Sequence, residues 1–220
     1  DSESRGLGDV YKRQRLQSDI VAAQRLRFKA FGLSGRTGLD SDKFDQACEH
    51  FLIENCKTGQ LVCCFRIMQM QGGGDIKKSY SAQYYELSAL QKYDGKILEI
   101  GRFCVDPKVN DSDILRVALS AMTRYVEGAR VDLLFGCTSF EGTDATAYCD
   151  AFAMLRDKHI GPQRWLPSVK APDVFRFGAR LRRKPDMRRA MICMPPLLKT
   201  YLMMGGWVSD HAVVDNHMNT

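Results

Sequence analysis

The sequence predicts a mixed α/β fold in which a mostly antiparallel sheet is flanked by helices. Three observations predict it. Segments of helical period alternate with β-rich runs along the chain. Two of those runs, "ACEHFLIEN" and "GQLVCCFRIMQM", are separated by "CKTG", which has the length and glycine of a hairpin turn. A third, "ILEIGRFCVDP" at 97–107, reads as a buried strand with charges set into its apolar middle.

The elements follow in order. "SDIVAAQRLRFKAF", opening at Ser18, places Ile20, Ala23, Arg27 and Phe31 at helical spacing. Gly32, Gly35 and Gly38 break that helix, and the acidic loop "LDSDKFDQ" follows. After the hairpin come "GGGD" at 72–75 as a flexible loop, a β-like run "SYSAQYYEL", and the strand at 97–107. "DSDILRVALSAMTRYVEGA" starts at an Asp or Ser cap and repeats apolar residues at Ile114, Leu115, Ala118, Met122 and Val126, as expected of a helix packed on a sheet. A buried strand "VDLLFGCTSF" and a helix "GTDATAYCDAFAMLRDKH" precede a basic segment. The proline-led helix "PPLLKTYLMM" stops at Gly205 and Gly206, and a last strand starts at Trp207.

With 220 residues and 45% hydrophobic composition the chain buries a sizeable core, read as one domain over 15–220 that lacks a closing C-terminal element. Residues 1–14, "DSESRGLGDVYKRQ", are polar and aperiodic, resemble translated adapter sequence, and are set outside the domain. No apolar run approaches the roughly 20 residues that span a bilayer, and no signal segment stands at the front, so a soluble cytoplasmic protein is expected. The eight cysteines form no C-x-x-C pair and lie mostly in apolar runs, the pattern of reduced core thiols. The four histidines form no ligand motif, and no metal is expected.

The net charge of +6 is unevenly spread. Between Pro162 and Arg189 nine cations, among them Arg176, Arg180, Arg182, Arg183, Lys184, Arg188 and Arg189, face only Asp173 and Asp186, leaving the rest of the chain close to neutral. Such a segment fits an acidic carrier protein, an anionic membrane surface or nucleic acid, or a solvated loop.

Glu99 and Arg102 pose the central question, because a buried lone charge is costly unless paired or put to use. Residues three apart face opposite sides of a regular strand. A β-bulge near Gly101, where glycine suits unusual backbone angles, would let both side chains point into one cleft, a geometry that the sequence permits but does not require. Taken singly, Arg27, Arg66, Glu99, Arg102, Asp42 and Asp45 each also fit a surface charge or a structural ion pair.

Their order along the chain is recognisable. "RFKAF", "DKFD", "FRIM" and "EIGRFCV" resemble the N-terminal signature of acyl-homoserine-lactone synthases. "LLFGCTSFEGTD", "PPLLKTYLMMGGWVSDHAVVD" and the final "NHMNT" resemble the ornithine N-acyltransferases of ornithine-lipid synthesis, hemolysin-like GNAT proteins. The resemblance implies a GNAT (acyl-CoA N-acyltransferase-like) fold with a bulged central strand. It implies an enzyme that moves a (3-hydroxy)fatty acyl chain from acyl carrier protein to the α-amine of L-ornithine, giving lyso-ornithine lipid. The acyl donor is then phosphopantetheine-linked, with no tightly bound cofactor.

For that chemistry Glu99 is the candidate base, directly or through water, with the alternative that it is only the ion partner of Arg102, and Arg102 is the group that orients Glu99 or the substrate carboxylate. Arg27, Phe31, Asp42, Asp45, Arg66, Phe103, Cys104 and Val105 form an acyl-donor or flap network. Asp144 and Ser139 are candidates for the amine substrate, with Asp42 and Asp45 as alternative acids for its side-chain amine, and the basic segment for docking the carrier or an anionic membrane peripherally. Nucleic acid is not an expected partner. One departure stands out: acetyl-CoA-using relatives follow the central strand with a glycine-rich pyrophosphate loop, whereas "DPKVNDSDILRVAL" has no glycine and three aspartates, which favours a carrier-borne donor. The competing readings are an acyl-homoserine-lactone synthase, another N-acyl amino acid synthase, and a non-catalytic GNAT-like module that binds membrane or nucleic acid.

Overall fold

The computed structural model describes residues 9–13 and 17–220. In chain order, strand β1 (Asp9–Arg13) and helix α1 (Gln17–Ala30) lead to the hairpin of β2 (Glu49–Asn55) and β3 (Leu61–Met70). Then come β4 (Tyr85–Glu86), β5 (Ile97–Val105), α2 (Ser112–Ala129) and β6 (Leu133–Gly136). The remainder holds α3 (Cys149–Lys158), β7 (Ser168–Val169), β8 (Val174–Phe175), α4 (Phe177–Arg180), α5 (Met187–Cys193), α6 (Pro196–Met203) and β9 (Ala212–Val213).

Where the sequence reads one domain, the contacts fall into two compact units. One comprises Asp1–Gly73 with Asp94–Gly136, the other Gly74–Tyr93 with Cys137–Thr220. Each unit is assembled from separated segments, a division that local periodicity does not register.

The first unit holds a five-stranded sheet in the order β1-β2-β3-β5-β6, antiparallel except for the β5–β6 pair. The hairpin turn forms where "CKTG" predicts it. Asn55 Oδ1 accepts from the Lys57 and Thr58 amides at 3.0 and 3.1 Å, and Gly59 takes φ +69°, the left-handed conformation that glycine adopts without a Cβ penalty. Side chains alternate across the sheet. On one face Phe51 stacks on Phe65 (4.8 Å) and Phe65 on Phe103 (5.5 Å), with Tyr125 of α2 edge-on to Phe51. α2 buries Ile114, Ala118, Ala121 and Met122, the i, i+4, i+7, i+8 stripe of an amphipathic helix. On the other face Ala23 and Leu26 of α1 pack with Cys64 and Cys104.

The opening segment, set outside the domain by its polarity, contributes β1. Its backbone pairs with β2 from Asp9↔Asn55 to Arg13↔Phe51. An edge strand needs only backbone donors and acceptors, which any sequence supplies, so side-chain composition is a poor guide there.

The second unit is built on α3, whose Ala151, Phe152, Met154 and Leu155 share a core with Phe177, Ala190, Met194 and Leu198. Its strands are short: β4 pairs with β7 and β8 with β9. The run "SYSAQYYEL", read as a strand, is a 3-10 turn at Ser81–Gln83 followed by the two residues of β4. "VDLLFGCTSF" pairs only over Leu133–Gly136, and the final strand is confined to Ala212–Val213 beyond a single bridge at Val208. The basic segment, read without elements, contains β7, β8, α4 and the start of α5; Asp186 caps α5 by accepting from the Arg188 and Arg189 amides.

Candidate active site

The central strand is bulged. Between β3 and β5 the register runs Cys64↔Cys104 and then Arg66↔Gly101, so two steps on β3 span three on β5. The extra residue falls at 102–103, opposite Phe65. Phe103 lies with Phe65 on the aromatic face, while Arg102 reaches the opposite side, where its Nε lies 2.9 Å from Asp40 Oδ2. Glu99 is the register partner of Met68, which shares the parity of Arg66 and Cys64 on the α1 face. The bulge therefore puts Glu99, three residues from Arg102, on the same face.

The backbone device differs in one detail from the sequence expectation. Gly101 is not in the left-handed region; Arg102 is, at φ +53°. A Cβ at Gly101 would meet only Arg66 Nε, at 4.0 Å. A non-glycine residue in this conformation costs roughly 1–2 kcal/mol and persists because its surroundings hold it. Here the ion contacts of the guanidinium do so.

β6 pairs with β5 only from Ile97↔Leu133 to Ile100↔Gly136. The bulged half of β5 thus lies beyond the β6 pairing. Gly136 marks that limit: a Cβ there would sit 2.2 Å from the Ile100 carbonyl oxygen, so the close approach requires glycine.

Around the bulge three arginines and three aspartates form one cluster. Arg27 Nη1 and Nη2 donate to the two carboxylate oxygens of Asp45, both at 2.9 Å, and Nη2 also donates to the Asp40 carbonyl. Arg66 donates to Asp42 through Nη1 and Nη2, both at 2.7 Å, and to Asp45 through Nη1 at 2.6 Å. Asp40 Oδ2 sits 2.9 Å from both Arg27 Nε and Arg102 Nε, ion contacts without hydrogen-bond alignment. Arg102 Nη2 reaches Asp42 Oδ2 at 3.4 Å. α1 supplies Arg27, β3 Arg66, β5 Arg102, and the loop after α1 all three carboxylates.

Asp40 was not singled out from sequence, although it lies in the same acidic loop as Asp42 and Asp45. Gln24 and His50 were also missed. Gln24 Nε2 donates to Asp45 at 2.8 Å, and His50 Nε2 lies 2.9 Å from the Asp45 carbonyl. A buried glutamine at helical spacing from Arg27 is the signal that could have found the first.

The electrostatics favour the charged forms of Asp42, Asp45 and Arg66. Burial pushes the Asp42 and Asp45 carboxyls up, but hydrogen bonds and charge from Arg66 on the first, and from Arg27 with Gln24 on the second, outweigh it and hold both below the ordinary carboxylate value. Burial pulls Arg66 down, yet its hydrogen bonds with Asp42 and the neighbouring charges leave it above its usual value. Burial pushes the Cys48 thiol up to about 12; the next influences on it are Arg66, Glu99, Asp42 and Asp45, in keeping with Glu99 lying on their side of the sheet. Glu99 itself is 4% exposed.

The remaining sequence candidates sort by location. Phe31, just after α1, packs on the Cys64–Cys104 cluster; Phe103 stacks on Phe65; Val105, opposite Cys63, is the last residue of β5. Cys104 lies 3.6 Å from Cys64 Sγ, and that hydrogen bond, with burial, pushes its thiol well up, which suits a core thiol and not a nucleophile. Asp144 belongs to the second unit, where it caps a 3-10 turn by accepting from Thr146 N (2.9 Å) and Oγ1 (2.6 Å). Ser139 lines a cavity of that unit together with Tyr85, Phe140, Tyr148 and Phe152. Arg176, Arg180, Arg182, Arg183, Lys184, Arg188 and Arg189 are all exposed; Asp150 holds Arg183 at 2.6 Å and Arg189 at 3.7 Å.

The chain has recognisable relatives. Residues 13–120 match the Acetyltransferase (GNAT) domain. An L-ornithine N(alpha)-acyltransferase of Rhodobacter capsulatus is 31% identical over 216 residues, covering 92% of this chain and 83% of that protein. One from Brucella abortus is 28% identical over 219 residues, covering 91% and 77%. An acyl-homoserine-lactone synthase of Vibrio anguillarum is 31% identical over 98 residues, covering 41% and 49%. The solved AHL synthase LasI matches 80% of this chain and 85% of its own at 19% identity, with a TM-score of 0.44. The sequence match to the Vibrio anguillarum synthase covers less than half of the chain, while those to the ornithine enzymes run nearly its full length, and the chain belongs to the L-ornithine N(alpha)-acyltransferase family.

Proposed function

We propose that this enzyme transfers a (3-hydroxy)fatty acyl chain from acyl carrier protein to the α-amine of L-ornithine, giving lyso-ornithine lipid. The observation that carries the reading is the likeness to L-ornithine N(alpha)-acyltransferases across 92% of the chain. In the reaction the neutral amine attacks the thioester carbonyl, a C–N bond forms, the C–S bond breaks, and the phosphopantetheine thiol leaves. The amine must lose a proton, and the carbonyl oxygen needs a donor as charge develops on it.

Glu99 is the group we assign to the proton. It is buried, lies on the face of the Arg–Asp cluster, and sits on the strand whose bulge disrupts the ladder and leaves an extra residue without a cross-strand partner. Such a bulge offers a backbone N–H to the oxyanion. The proton passes from the amine to Glu99 and then to the departing thiolate. Arg102 acts as a positioning residue, tying the Asp40–Asp42 loop to β5, while Arg27, Arg66 and Asp45 fix α1 against it.

The preference for a carrier-borne donor is supported by the start of α2. Asp111 caps that helix by accepting from the Asp113 amide at 2.9 Å, and Asp113 adds a second carboxylate in its first turn. A CoA pyrophosphate at this helix end meets repulsion where the glycine-rich loops of acetyl-CoA enzymes offer amides. The exposed cations of the second unit support peripheral contact with the anionic inner face of the cytoplasmic membrane, where a one-chain lipid is delivered.

The test is acylation by the purified protein with acyl carrier protein or CoA as donor and ornithine, lysine, glycine or S-adenosylmethionine as acceptor, read by mass spectrometry. N-acylornithine formed from the carrier-bound donor is expected. A lactone, or acylation of a different amino acid alone, overturns the reading. Glu99→Gln should lower kcat on the order of 100-fold or more without loss of folding, since general-base removal is worth roughly 10² to 10⁴; near-normal turnover in a folded variant removes Glu99 from the base role.

A further inference from the structure

We infer that α5, α6 and the residues after them form a bilayer-inserting face, which docks the enzyme on anionic phospholipid through apolar side chains as well as through charge. α5 shows two surfaces. Ala190 and the following Met194 are buried in the core of the second unit, as is Leu198 of α6. Met187, Met191 and Ile192 face outward, Ile192 being 70% exposed. The end of α6 continues the pattern with Met203 (78%) and Met204 (62%), and Trp207 follows. These six are the exposed large hydrophobic residues among the described residues, and all lie between 187 and 207. Side chains scattered singly on a surface need no explanation; these six are concentrated on α5, at the end of α6 and just after it.

Their company identifies the occupant. Arg188 sits between Met187 and Met191–Ile192 on the outward side of α5, and Arg182, Arg183 and Lys184 lie just ahead, all exposed. The apolar centre of a protein–protein interface is depleted of charge, because an enclosed guanidinium would be stripped of water. A lipid headgroup region has no such conflict. Methionine, isoleucine and tryptophan enter the acyl boundary, while arginine lays its aliphatic stem along them and extends its guanidinium to a phosphate. Acidic carrier protein would satisfy the cations but leave the apolar side chains in water. The inference deepens the reading above by naming the surface at which the product is handed over, and takes only the lipid nature of the product from it.

The test is flotation of the full chain with vesicles of phosphatidylcholine, with and without phosphatidylglycerol, in the absence of substrates, so that its result does not depend on which amine is acylated. Binding to the anionic vesicles is expected, with a part that survives high salt. Ile192→Ser with Met203→Ser and Met204→Ser should remove that salt-resistant part and weaken binding at least tenfold. Arg182→Ala with Lys184→Ala and Arg188→Ala should remove the anionic preference, again by roughly tenfold or more at low salt, at the strength of a cation near a charged membrane. Both triple variants change exposed side chains and should keep the wild-type unfolding midpoint, and the serine variant should also keep the wild-type turnover in free solution. Absence of flotation, or retention of full salt-resistant binding in the serine variant, overturns the inference. Loss of activity with acyl carrier protein in the arginine variant, without any vesicle binding by the wild type, assigns the face to the carrier instead.

Discussion

Asp45→Asn tests whether the arginine–aspartate cluster is the structural keystone of the first unit. In the wild type the Asp45 carboxylate accepts from Arg27 Nη1 and Nη2, Arg66 Nη1 and Gln24 Nε2 at 2.6–2.9 Å, and is 3% exposed. Asparagine keeps the shape but replaces one oxygen with an NH₂ that points donors at donors. Three guanidiniums then face two carboxylates, and Arg27, 1% exposed, has nowhere to rehydrate. Removing one partner of a buried ion pair costs about 3–5 kcal/mol, against ~0–1 kcal/mol for an exposed pair. At roughly 2–4 °C per kcal/mol for a chain of this size, the melting temperature should fall by about 6–20 °C.

Urea unfolding followed by circular dichroism measures this directly. The pH dependence carries a second check. The folded carboxyl lies below its unfolded value, so its stabilisation is complete above the ordinary carboxylate value near ~4 and is lost as pH falls toward the folded one. Asparagine does not titrate, so the gap between wild type and variant should be constant at neutral pH and narrow below about pH 4. Adding Arg27→Met should recover part of the loss, because the cluster returns to equal numbers of each charge. A difference under about 1 kcal/mol at neutral pH would falsify the premise that these charges are held buried and mutually dependent.

Two further substitution and labelling experiments probe the neighbouring strands. Gly101→Ala should leave stability within about 1 kcal/mol of wild type, or raise it slightly, since the left-handed residue is Arg102 and the added methyl meets only Arg66 Nε at 4.0 Å; a loss above ~2 kcal/mol in urea unfolding would return the unusual geometry to Gly101. Under native conditions iodoacetamide should label the exposed Cys56 and Cys137 first, while Cys48, with its thiol pushed up to about 12, and the buried Cys63, Cys64 and Cys104 react only on unfolding; early labelling of Cys48 in peptide mass spectra contradicts the burial-driven shift.

Local chemistry was legible wherever one short stretch carried the whole instruction. The β2–β3 hairpin follows from Asn55, Thr58 and Gly59, and α2 from the Asp111 cap and its apolar stripe. The strands of the second unit were over-read because a β-rich run such as "SYSAQYYEL" pairs only where a partner edge is present, and β7 offers two residues. β1 was under-read for the opposite reason: β2 offered an edge to a polar segment. The bulge was implied by the family resemblance and only permitted by the residues, and its unusual angles were placed on the glycine, because sequence shows which residue accepts positive φ cheaply and not which one is held there.

The sequence by itself determined the residue types of the candidate site and their order: arginines on a helix and two strands, acids in the loop between, and a glutamate in the central strand. Which acid meets which arginine was decided only by the tertiary structure, with Asp40 bridging Arg27 to Arg102 and Asp45 bridging Arg27 to Arg66. The reason is range. Periodicity and turn chemistry act over a few residues, whereas Arg102 and Asp42 meet across 60 residues of chain, and that distance closes only when the sheet has formed and burial makes each charge require its partner.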